Sequence, residues 1–363
     1  MILFSPTDIY LPSSAEALDH HKFAISWLPG GSLWRNLRKI LNTQMFTTQK
    51  LDANQELRRR KVQELLADVQ EHCHAGKAVD IGQAAFKAVT NGLSNIIFSL
   101  DLIHKSSGTS HKDVVRGIMD ELGKPNLADY FPILRYLDLQ GLKRRIETNG
   151  EKLFDLYDRI INERMESRSM EGYVPKNDLL DTLLSISEEN SGMMNNSLIK
   201  HTFMDLFLAG TDTSASVIEW AMTELLRNPR ILRKARPRKP REEVELCGFT
   251  IPKGAQVLIN VWAIGKDPST WEDPESFVPE RFLGSNIDWK RHNFELIPFG
   301  VGRRSCPGLP LADRMLQLIL GSLLHSFDWQ LEDGATPENM DMEERFGFSL
   351  EKAQPLRAVP IQP

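Results

Sequence analysis

Apolar side chains recur every three or four positions through much of residues 32–228, which is the period of an amphipathic helix. The pattern predicts helices over "SLWRNLRKILNTQMF", over "ELRRRKVQELLADVQEH" with Gly76 as its stop, and over residues 142–168. The stretch "NSLIKHTFMDLFLAGTDTSASVIEWAMTELLRNP" predicts one long helix that ends at Asn228–Pro229. A last helix is predicted over "LPLADRMLQLILGSLLHSF".

The pattern changes in the last third of the chain. "EVELCGFTIPKGAQVLINVWAIG" has short alternating apolar runs around a Pro-Lys-Gly turn and predicts a small sheet. "KDPSTWEDPESFVPERFLG" is punctuated by proline and is too irregular for either regular state. The sequence therefore predicts a mainly α fold with a minor β part, and residues 1–363 are interpreted as a single domain.

Composition excludes several classes of protein. The chain has 363 residues, 41% of them hydrophobic, and a net charge of -5, so it can bury a large core but has no basic surface for nucleic acid. Its three cysteines, Cys73, Cys247 and Cys306, are too scattered for a disulfide framework and suit a reducing compartment. No apolar run is long enough to span a membrane, and the first residues do not form a signal peptide.

Cys306 lies in an unusual loop, "PFGVGRRSCPG". A buried, inert cysteine is the ordinary interpretation. However, Gly300 and Gly302 allow sharp turns or close approach to a flat ligand, and a thiolate just before a helix is stabilised by the helix dipole. Arg303 and Arg304 offer partners for carboxylates beside the sulfur. This combination suits a cysteine that binds the iron of heme, whose ring bears acidic groups.

The loop resembles the heme-binding loop of the cytochrome P-450 superfamily. The matching positions are Phe299, Gly302, Arg304, Cys306 and Gly308. The resemblance implies that the cofactor is heme b, with Cys306 as its iron ligand and these other residues shaping the cofactor site. It also implies a heme-thiolate monooxygenase fold, here incomplete.

A second motif is "AGTDTS", inside the predicted long helix. Alone, it could be a polar cluster on a partly solvated helix. The Thr213 hydroxyl can bond the carbonyl of Ala209 and loosen the helix, while Gly210 leaves room for a small ligand such as dioxygen. Asp212 supplies a carboxylate able to transfer protons. Asp212 and Thr213 resemble the acid–alcohol pair with which the family activates oxygen.

Two further motifs resemble parts of the family. Trp34 and Arg38 lie four residues apart and so share a helix face, which could simply be an amphipathic edge. They are also similar to a pair that contacts a heme propionate in the family, and the resemblance implies the same contact for Arg304. "FVPERF" is similar to the meander motif, in which Arg281 normally completes an ion-pair triad. Arg238 is the candidate for a further arginine at a propionate.

The chain departs from the family at the basic junction "RILRKARPRKPREEVEL". The helix with the family's Glu-x-x-Arg pair should lie here. Its absence leaves three interpretations of the junction: a basic linker, a nuclear-targeting signal, or a deletion by exon loss, gene-model error or pseudogene decay. The matches Glu56–Arg59 and Glu224–Arg227 lie elsewhere. Arg281 is therefore expected to stay unpaired in a buried site, which is costly.

Several stretches of the sequence, among them "EALDHHKFAISWLP" and "LLHSFDWQLEDG", resemble plant monooxygenases of the geraniol 8-hydroxylase type. The resemblance implies hydroxylation of a small hydrophobic substrate, such as the monoterpenol geraniol, with O2 and electrons from an NADPH-dependent reductase. The predicted substrate pocket combines residues 20–33, 203–209 and 346–349.

Two other functions stay open: a catalytically silent fragment, and a heme-thiolate dehydratase or isomerase, against which the Asp212–Thr213 pair argues. Intact family members lie on the cytosolic face of the endoplasmic reticulum. Because no family anchor, hinge or opening sheet precedes Met1, a cytoplasmic or unknown location is expected here.

Overall fold

A computed structural model describes residues 2–3, 12–103, 111–131, 133–134, 137–189, 194–232, 259–285, 287, 293–332 and 334–363. The α-helices within these ranges are α1 (Ser32–Gln44), α2 (Thr48–Ala53), α3 (Gln55–His74), α4 (Ile81–Phe98), α5 (His111–Gly123), α6 (Leu127–Tyr130), α7 (Leu142–Arg168), α8 (Leu179–Glu189), α9 (Asn196–Gly210), α10 (Asp212–Arg227), α11 (Pro229–Leu232), α12 (Val261–Gly265) and α13 (Leu309–Ser326).

The strands in these ranges are short: β1 (Ile2–Leu3), β2 (Val79–Asp80), β3 (Ile259–Asn260), β4 (Asp328–Leu331), β5 (Glu344–Arg345), β6 (Glu351–Lys352) and β7 (Arg357–Ile361). All of their pairings are antiparallel, with sheet orders β1–β3, β2–β7–β4 and β5–β6. Turns of 3-10 helix cover Ser13–Lys22, Pro279–Phe282 and Gly302–Arg304. The prediction of a mainly α fold with a minor β part is confirmed.

Helix α4 is the centre of the helical core. It begins where the Asp80 side chain accepts a hydrogen bond of 2.7 Å from the amide of Gln83, which is a standard N-cap. Most of its side chains are buried, and it packs against α3, α8, α9 and α10. Because one helix contacts four others, it fixes the position of the elements that surround the candidate site.

The predicted stop of α3 is also present. The helix ends at His74, and Gly76 follows with a φ of +59°. The amide of Lys77 donates back to the carbonyl of His72 at 3.0 Å, as in the usual glycine-terminated helix end. No helix of the described part of the chain is both long and apolar enough to cross a membrane.

The prediction of one long helix through the "AGTDTS" motif is wrong in one respect. The helix is interrupted at Thr211, between α9 and α10. The hydroxyls of Thr211 and Thr213 donate to the carbonyls of Phe207 and Ala209, at 2.7 and 2.6 Å. Those carbonyls are the acceptors of the helix ladder, so the side chains compete with the backbone at this point.

The predicted small sheet after the junction is only partly visible. Most of "EVELCGFTIPKGAQVLINVWAIG" lies outside the described residues. Ile259–Asn260 is a strand, but the following Val261–Gly265 is a short helix and not a strand. The Asn260 side chain accepts a hydrogen bond of 2.9 Å from the amide of Ala263, so the asparagine starts a helix where alternation alone predicts a strand.

Candidate active site

A cavity of about 260 Å³ lies between α1, α4, the α9–α10 break and the start of α13. Its walls include most of the side chains that the sequence nominated, although these are far apart in the chain. The predicted site residues that line it are Trp34, Arg38, Ala209, Gly210, Thr213, Phe299, Arg304, Cys306 and Gly308. Gly302 and Asp212 are described but do not line this cavity, and Arg238 lies outside the described residues.

The loop that carries Cys306 depends on two glycines. Gly300 and Gly302 have φ values of +68° and +76°, a region in which a side chain would be strained. The resulting turn brings the amide of Cys306 to the carbonyl of Phe299, at 2.9 Å. Cys306 is thereby held just before α13, with its sulfur accessible from the cavity.

The surroundings of the Cys306 sulfur act on its charge in opposite directions. Burial raises the pKa of the thiol above its ordinary value. The backbone N–H groups of Gly308 and Leu309, at the start of α13, and the positive charge of Arg38 oppose that effect. The sulfur therefore has hydrogen-bond donors on the protein side and open space on the cavity side.

The guanidinium groups of two arginines both lie near the Trp34 ring at the edge of the cavity. The Cζ atom of Arg304 lies 4.5 Å from the ring centroid and that of Arg38 lies 5.9 Å from it. Arg304 donates to the carbonyl of Leu28 at 2.6 Å, and Arg38 donates to the carbonyl of Ser305. Burial lowers the pKa of both side chains, and the neighbouring Arg38 charge lowers that of Arg304 further.

The donor set of the cavity fits heme. Within the described part of the chain, Arg38 and Arg304 form no ion pair with a carboxylate, although two half-buried cations side by side favour anionic partners. The Cys306 sulfur is a suitable iron ligand, and the side chains around it are mainly apolar. A group with a flat apolar ring, a central iron and carboxylates at one edge would satisfy all three features.

The α9–α10 break forms the cavity wall that faces the cysteine loop. Thr213 directs its hydroxyl to the carbonyl of Ala209, as the sequence analysis anticipates, and both residues line the cavity. A Cβ atom on Gly210 would lie 3.1 Å from Cδ2 of Leu93, which is tighter than most contacts. The glycine therefore lets α9 approach α4 closely, and it places no side chain in the cavity at that point.

Asp212 projects away from this cavity. It is buried in a separate pocket with Arg116 and Glu351, and its Oδ2 atom has no hydrogen-bond partner among the described residues. Burial, together with the neighbouring Glu351 carboxylate, raises the pKa of Asp212 to about 7. A carboxyl group of this kind exchanges its proton near neutral pH, on the side of α10 opposite to the cysteine.

A smaller cavity of about 70 Å³ adjoins the first. Ser26, Asp205 and Ala209 line both, and the remaining lining is mostly apolar. The segments 20–33, 203–209 and 346–349 all contribute to this side pocket, as the sequence analysis expects. The lining residues from these segments are His20, Ser26, Trp27, Met204, Asp205, Leu208, Ala209 and Phe348.

Sequence reasoning missed the contribution of α5 and α7 to the side pocket. Ile118, Met119 and Leu122 on α5 and Ile146 on α7 complete the apolar lining. The spacing of the three α5 residues indicates one helix face, so a search for a helix with an unassigned apolar face would have nominated them.

The expectation that Arg281 is unpaired and buried is wrong. Arg281 is half-buried, and its guanidinium donates to the backbone carbonyls of its own irregular segment: Glu272 at 2.7 Å, Asp273 at 2.9 Å, Ser276 at 3.0 Å and Val278 at 3.2 Å. The charge is therefore satisfied locally. Glu56–Arg59 and Glu224–Arg227 are loose pairs on α3 and α10, at 3.9 and 3.8 Å, as expected for surface positions on those helices.

The chain belongs to the cytochrome P450 family, whose model matches residues 13–237 and 235–356. The two matched segments meet at the basic junction. The chain is 45% identical to geraniol 8-hydroxylase of Catharanthus roseus, covering 96% of this chain and 80% of that protein. It is 43% identical to a geranylhydroquinone 3''-hydroxylase of Arnebia euchroma (97% and 80%) and 42% identical to drimenol monooxygenase of Persicaria hydropiper (97% and 78%).

These matches identify a monooxygenase of the heme-dependent type, similar to plant enzymes that modify terpenoids. The alignment with the Catharanthus protein spans 394 positions, whereas the chain has 363 residues. The relative therefore has internal residues without a counterpart here. The meeting of the two family segments at 235–237 agrees with a deletion at the junction.

Proposed function

We propose that the chain hydroxylates a small hydrophobic terpenoid alcohol such as geraniol. The observation that carries the proposal is that one cavity gathers a cysteine before a helix, two arginines without carboxylate partners among the described residues, and a threonine at a helix break. A heme-binding oxidase would use all of these features together.

The proposed cofactor is heme b. Cys306 would bind the iron through its thiolate, and Arg38, Arg304 and Trp34 would bind the carboxylate edge of the ring. Phe299, Gly302 and Gly308 shape the loop, and Ala209 and Gly210 form the opposite wall. Arg238 is proposed as a further propionate partner on sequence grounds alone.

The catalytic roles are divided between the two sides of α10. When bound, heme supplies the activation of dioxygen, and the protein supplies orientation, proton delivery and a water-poor pocket. Thr213 presents a hydroxyl to the cavity beside the Ala209 carbonyl. Asp212 holds a proton that it can release near neutral pH, and we propose that it restores the protons used at the Thr213 side.

The nature of the substrate follows from the side pocket and the relatives. The pocket is small, narrow and mostly apolar, which suits a hydrocarbon chain more than a large or charged molecule. Among the relatives, the names geraniol and drimenol denote terpenoid alcohols. We propose an NADPH-dependent cytochrome reductase as the electron donor, because enzymes of this family generally receive their electrons from a redox partner.

The test is a reconstitution of the chain with heme, a plant NADPH–cytochrome reductase, NADPH and geraniol. Hydroxylated geraniol, identified by mass spectrometry, is the expected product, and Cys306→Ala should abolish it. Heme uptake without any hydroxylated product from geraniol, its double-bond isomer nerol or related terpenols would contradict the proposed function.

A second candidate is a catalytically silent fragment. The alignment supports it, since the relatives contain internal residues that this chain lacks at the junction. This candidate predicts that neither heme uptake nor product formation occurs, even with excess hemin and reductase. The same reconstitution therefore separates the two functions.

A further inference from the structure

A polar cluster stands between the main cavity and the side pocket. It comprises the buried side chains of Asp205, His20 and His201 together with the exposed Ser26, and neither the cysteine loop nor the threonine motif uses any of them. The Ser26 hydroxyl donates to Oδ1 of Asp205 at 2.5 Å, and the Ser26 amide approaches Oδ2 at 3.4 Å. Asp205 and Ser26 line both cavities, so the carboxylate is accessible from the space where a substrate would lie.

Two histidines contact each other and the carboxylate in this cluster. Nδ1 of His20 lies 2.8 Å from Nδ1 of His201, and Nε2 of His20 lies 3.4 Å from Oδ1 of Asp205. Burial and the neighbouring His20 lower the pKa of His201 to about 4, so His201 is uncharged at neutral pH. A proton on Nδ1 of His201 directed to Nδ1 of His20 leaves Nε2 of His20 to donate towards Asp205, which is a consistent hydrogen-bond arrangement.

Asp205 has acceptor capacity to spare. The side chains of Asp205 and His20 are each only 8% exposed, and an ionised carboxylate offers about four acceptor sites. Among the described residues, the Ser26 hydroxyl provides the one short hydrogen bond to Asp205, while the contacts of His20 Nε2 and the Ser26 amide are long. A carboxylate left with free acceptor sites beside an apolar pocket is costly unless a donor group occupies that space.

We propose that Asp205 is the anchor for the hydroxyl group of the substrate, with Ser26 and His20 holding the carboxylate in position. The apolar part of the main cavity, which Val89, Leu93 and Leu206 line, then takes the hydrocarbon of the anchored substrate. This inference rests on the proposed function and adds the feature that selects an alcohol over a hydrocarbon of the same shape.

The position of Asp205 also affects which carbon is oxidised. Asp205 and Gly210 are five residues apart on α9, which is about 7.5 Å along a helix. A substrate whose hydroxyl is bound at Asp205 must extend along α9 to reach the wall opposite Cys306. The anchor therefore directs oxidation to carbons remote from the hydroxyl.

The experiment is isothermal titration of the full chain, with and without hemin, against three ligands of one skeleton. These are geraniol, its methyl ether, which cannot donate, and the parent hydrocarbon without oxygen. The wild-type chain should bind geraniol roughly 10-fold or more tightly than either analogue, as expected for a buried hydrogen bond to a charged group. Equal affinity for all three would overturn the anchor without the use of any variant.

A matched pair of variants sharpens the test. Asp205→Asn keeps the shape but replaces two acceptors with one acceptor and one donor, so the preference for the alcohol over the ether should fall by roughly 10-fold while affinity for the hydrocarbon is unchanged. Asp155→Asn makes the same change at an exposed position of α7 and should change none of the affinities. An unchanged preference in Asp205→Asn would contradict the proposal.

Three other outcomes have distinct meanings. Tighter binding of geranylamine than of geraniol to the wild-type chain would overturn the alcohol in favour of a cationic ligand. Failure of all these ligands to bind would overturn both the anchor and the proposed substrate class. Selective binding of geraniol without hydroxylation would leave the anchor standing and contradict only the proposed reaction.

Discussion

Asp212→Asn should remove a pH dependence from the stability of the protein. In the folded chain the pKa of Asp212 is raised from 3.8 to about 7, because the carboxyl is buried beside Glu351. Between these two values the unfolded chain has lost the proton while the folded chain retains it. The wild-type protein therefore loses stability as the pH rises towards 7, and the loss is complete above that pH.

The size of this loss in stability follows from the size of the pKa shift of Asp212. Between pH 5 and pH 7 the wild-type protein should lose about 2 to 3 kcal/mol through this one group, at about 1.4 kcal/mol per pH unit. An asparagine has the same shape and does not titrate. Relative to wild type, Asp212→Asn should therefore gain about that much stability between pH 5 and pH 8.

Urea unfolding, followed by circular dichroism at pH 5, 6, 7 and 8, measures the effect. Asp155→Asn, at an exposed position on α7, is the control and should track wild type at every pH. If Asp212→Asn also runs parallel to wild type across this range, the carboxyl group does not hold its proton in the folded chain. The role of Asp212 as a proton source near neutral pH would then be refuted.

Three glycine substitutions test the backbone and the packing around the site by urea unfolding. Gly302→Ala should destabilise the fold by about 1 to 2 kcal/mol, because φ is +76° there although space is open. Its control, Gly321→Ala, lies in open space on α13 and should stabilise by about 0.5 to 1 kcal/mol; equal effects would contradict the backbone argument. Gly123→Ala should lower the free energy of unfolding by about 1 to 3 kcal/mol, because the new Cβ would lie 2.3 Å from the backbone nitrogen of Phe348. An unchanged unfolding curve would contradict this argument and show that the Phe348 backbone moves away at no cost.

The sequence pattern predicts a helix well where apolar residues at helical spacing fall on one face and charged residues fall on the other. The bounds predicted for α7, residues 142–168, match the structure, since an apolar stripe and a charged face leave one orientation. The break at Thr211 was missed because hydrophobic periodicity does not report the competition between threonine hydroxyls and the helix ladder. The helix Val261–Gly265 was missed for a similar reason, since the Asn260 cap outweighs the local alternation.

The candidate site divides in the same way. Resemblance to the family's motifs nominated Cys306, Trp34 and Thr213, and the fold brings them to one cavity. The direction of a side chain at a helix break cannot be read from sequence, so the turn of Asp212 away from the cavity was not foreseen. The same limit applies to Arg281, whose partners are backbone carbonyls that no residue pattern specifies.

The most direct test is the absorption spectrum of the purified chain after incubation with hemin, reduction and exposure to carbon monoxide. A thiolate-type Soret band is expected, because Cys306 is accessible from the cavity and stands before α13. Cys306→Ser should lose that band, and Cys73→Ser, a matched change at the other described cysteine, should keep it. Absence of heme uptake by the wild-type chain, or the same band in Cys306→Ser, would contradict the assignment of Cys306 as the heme ligand.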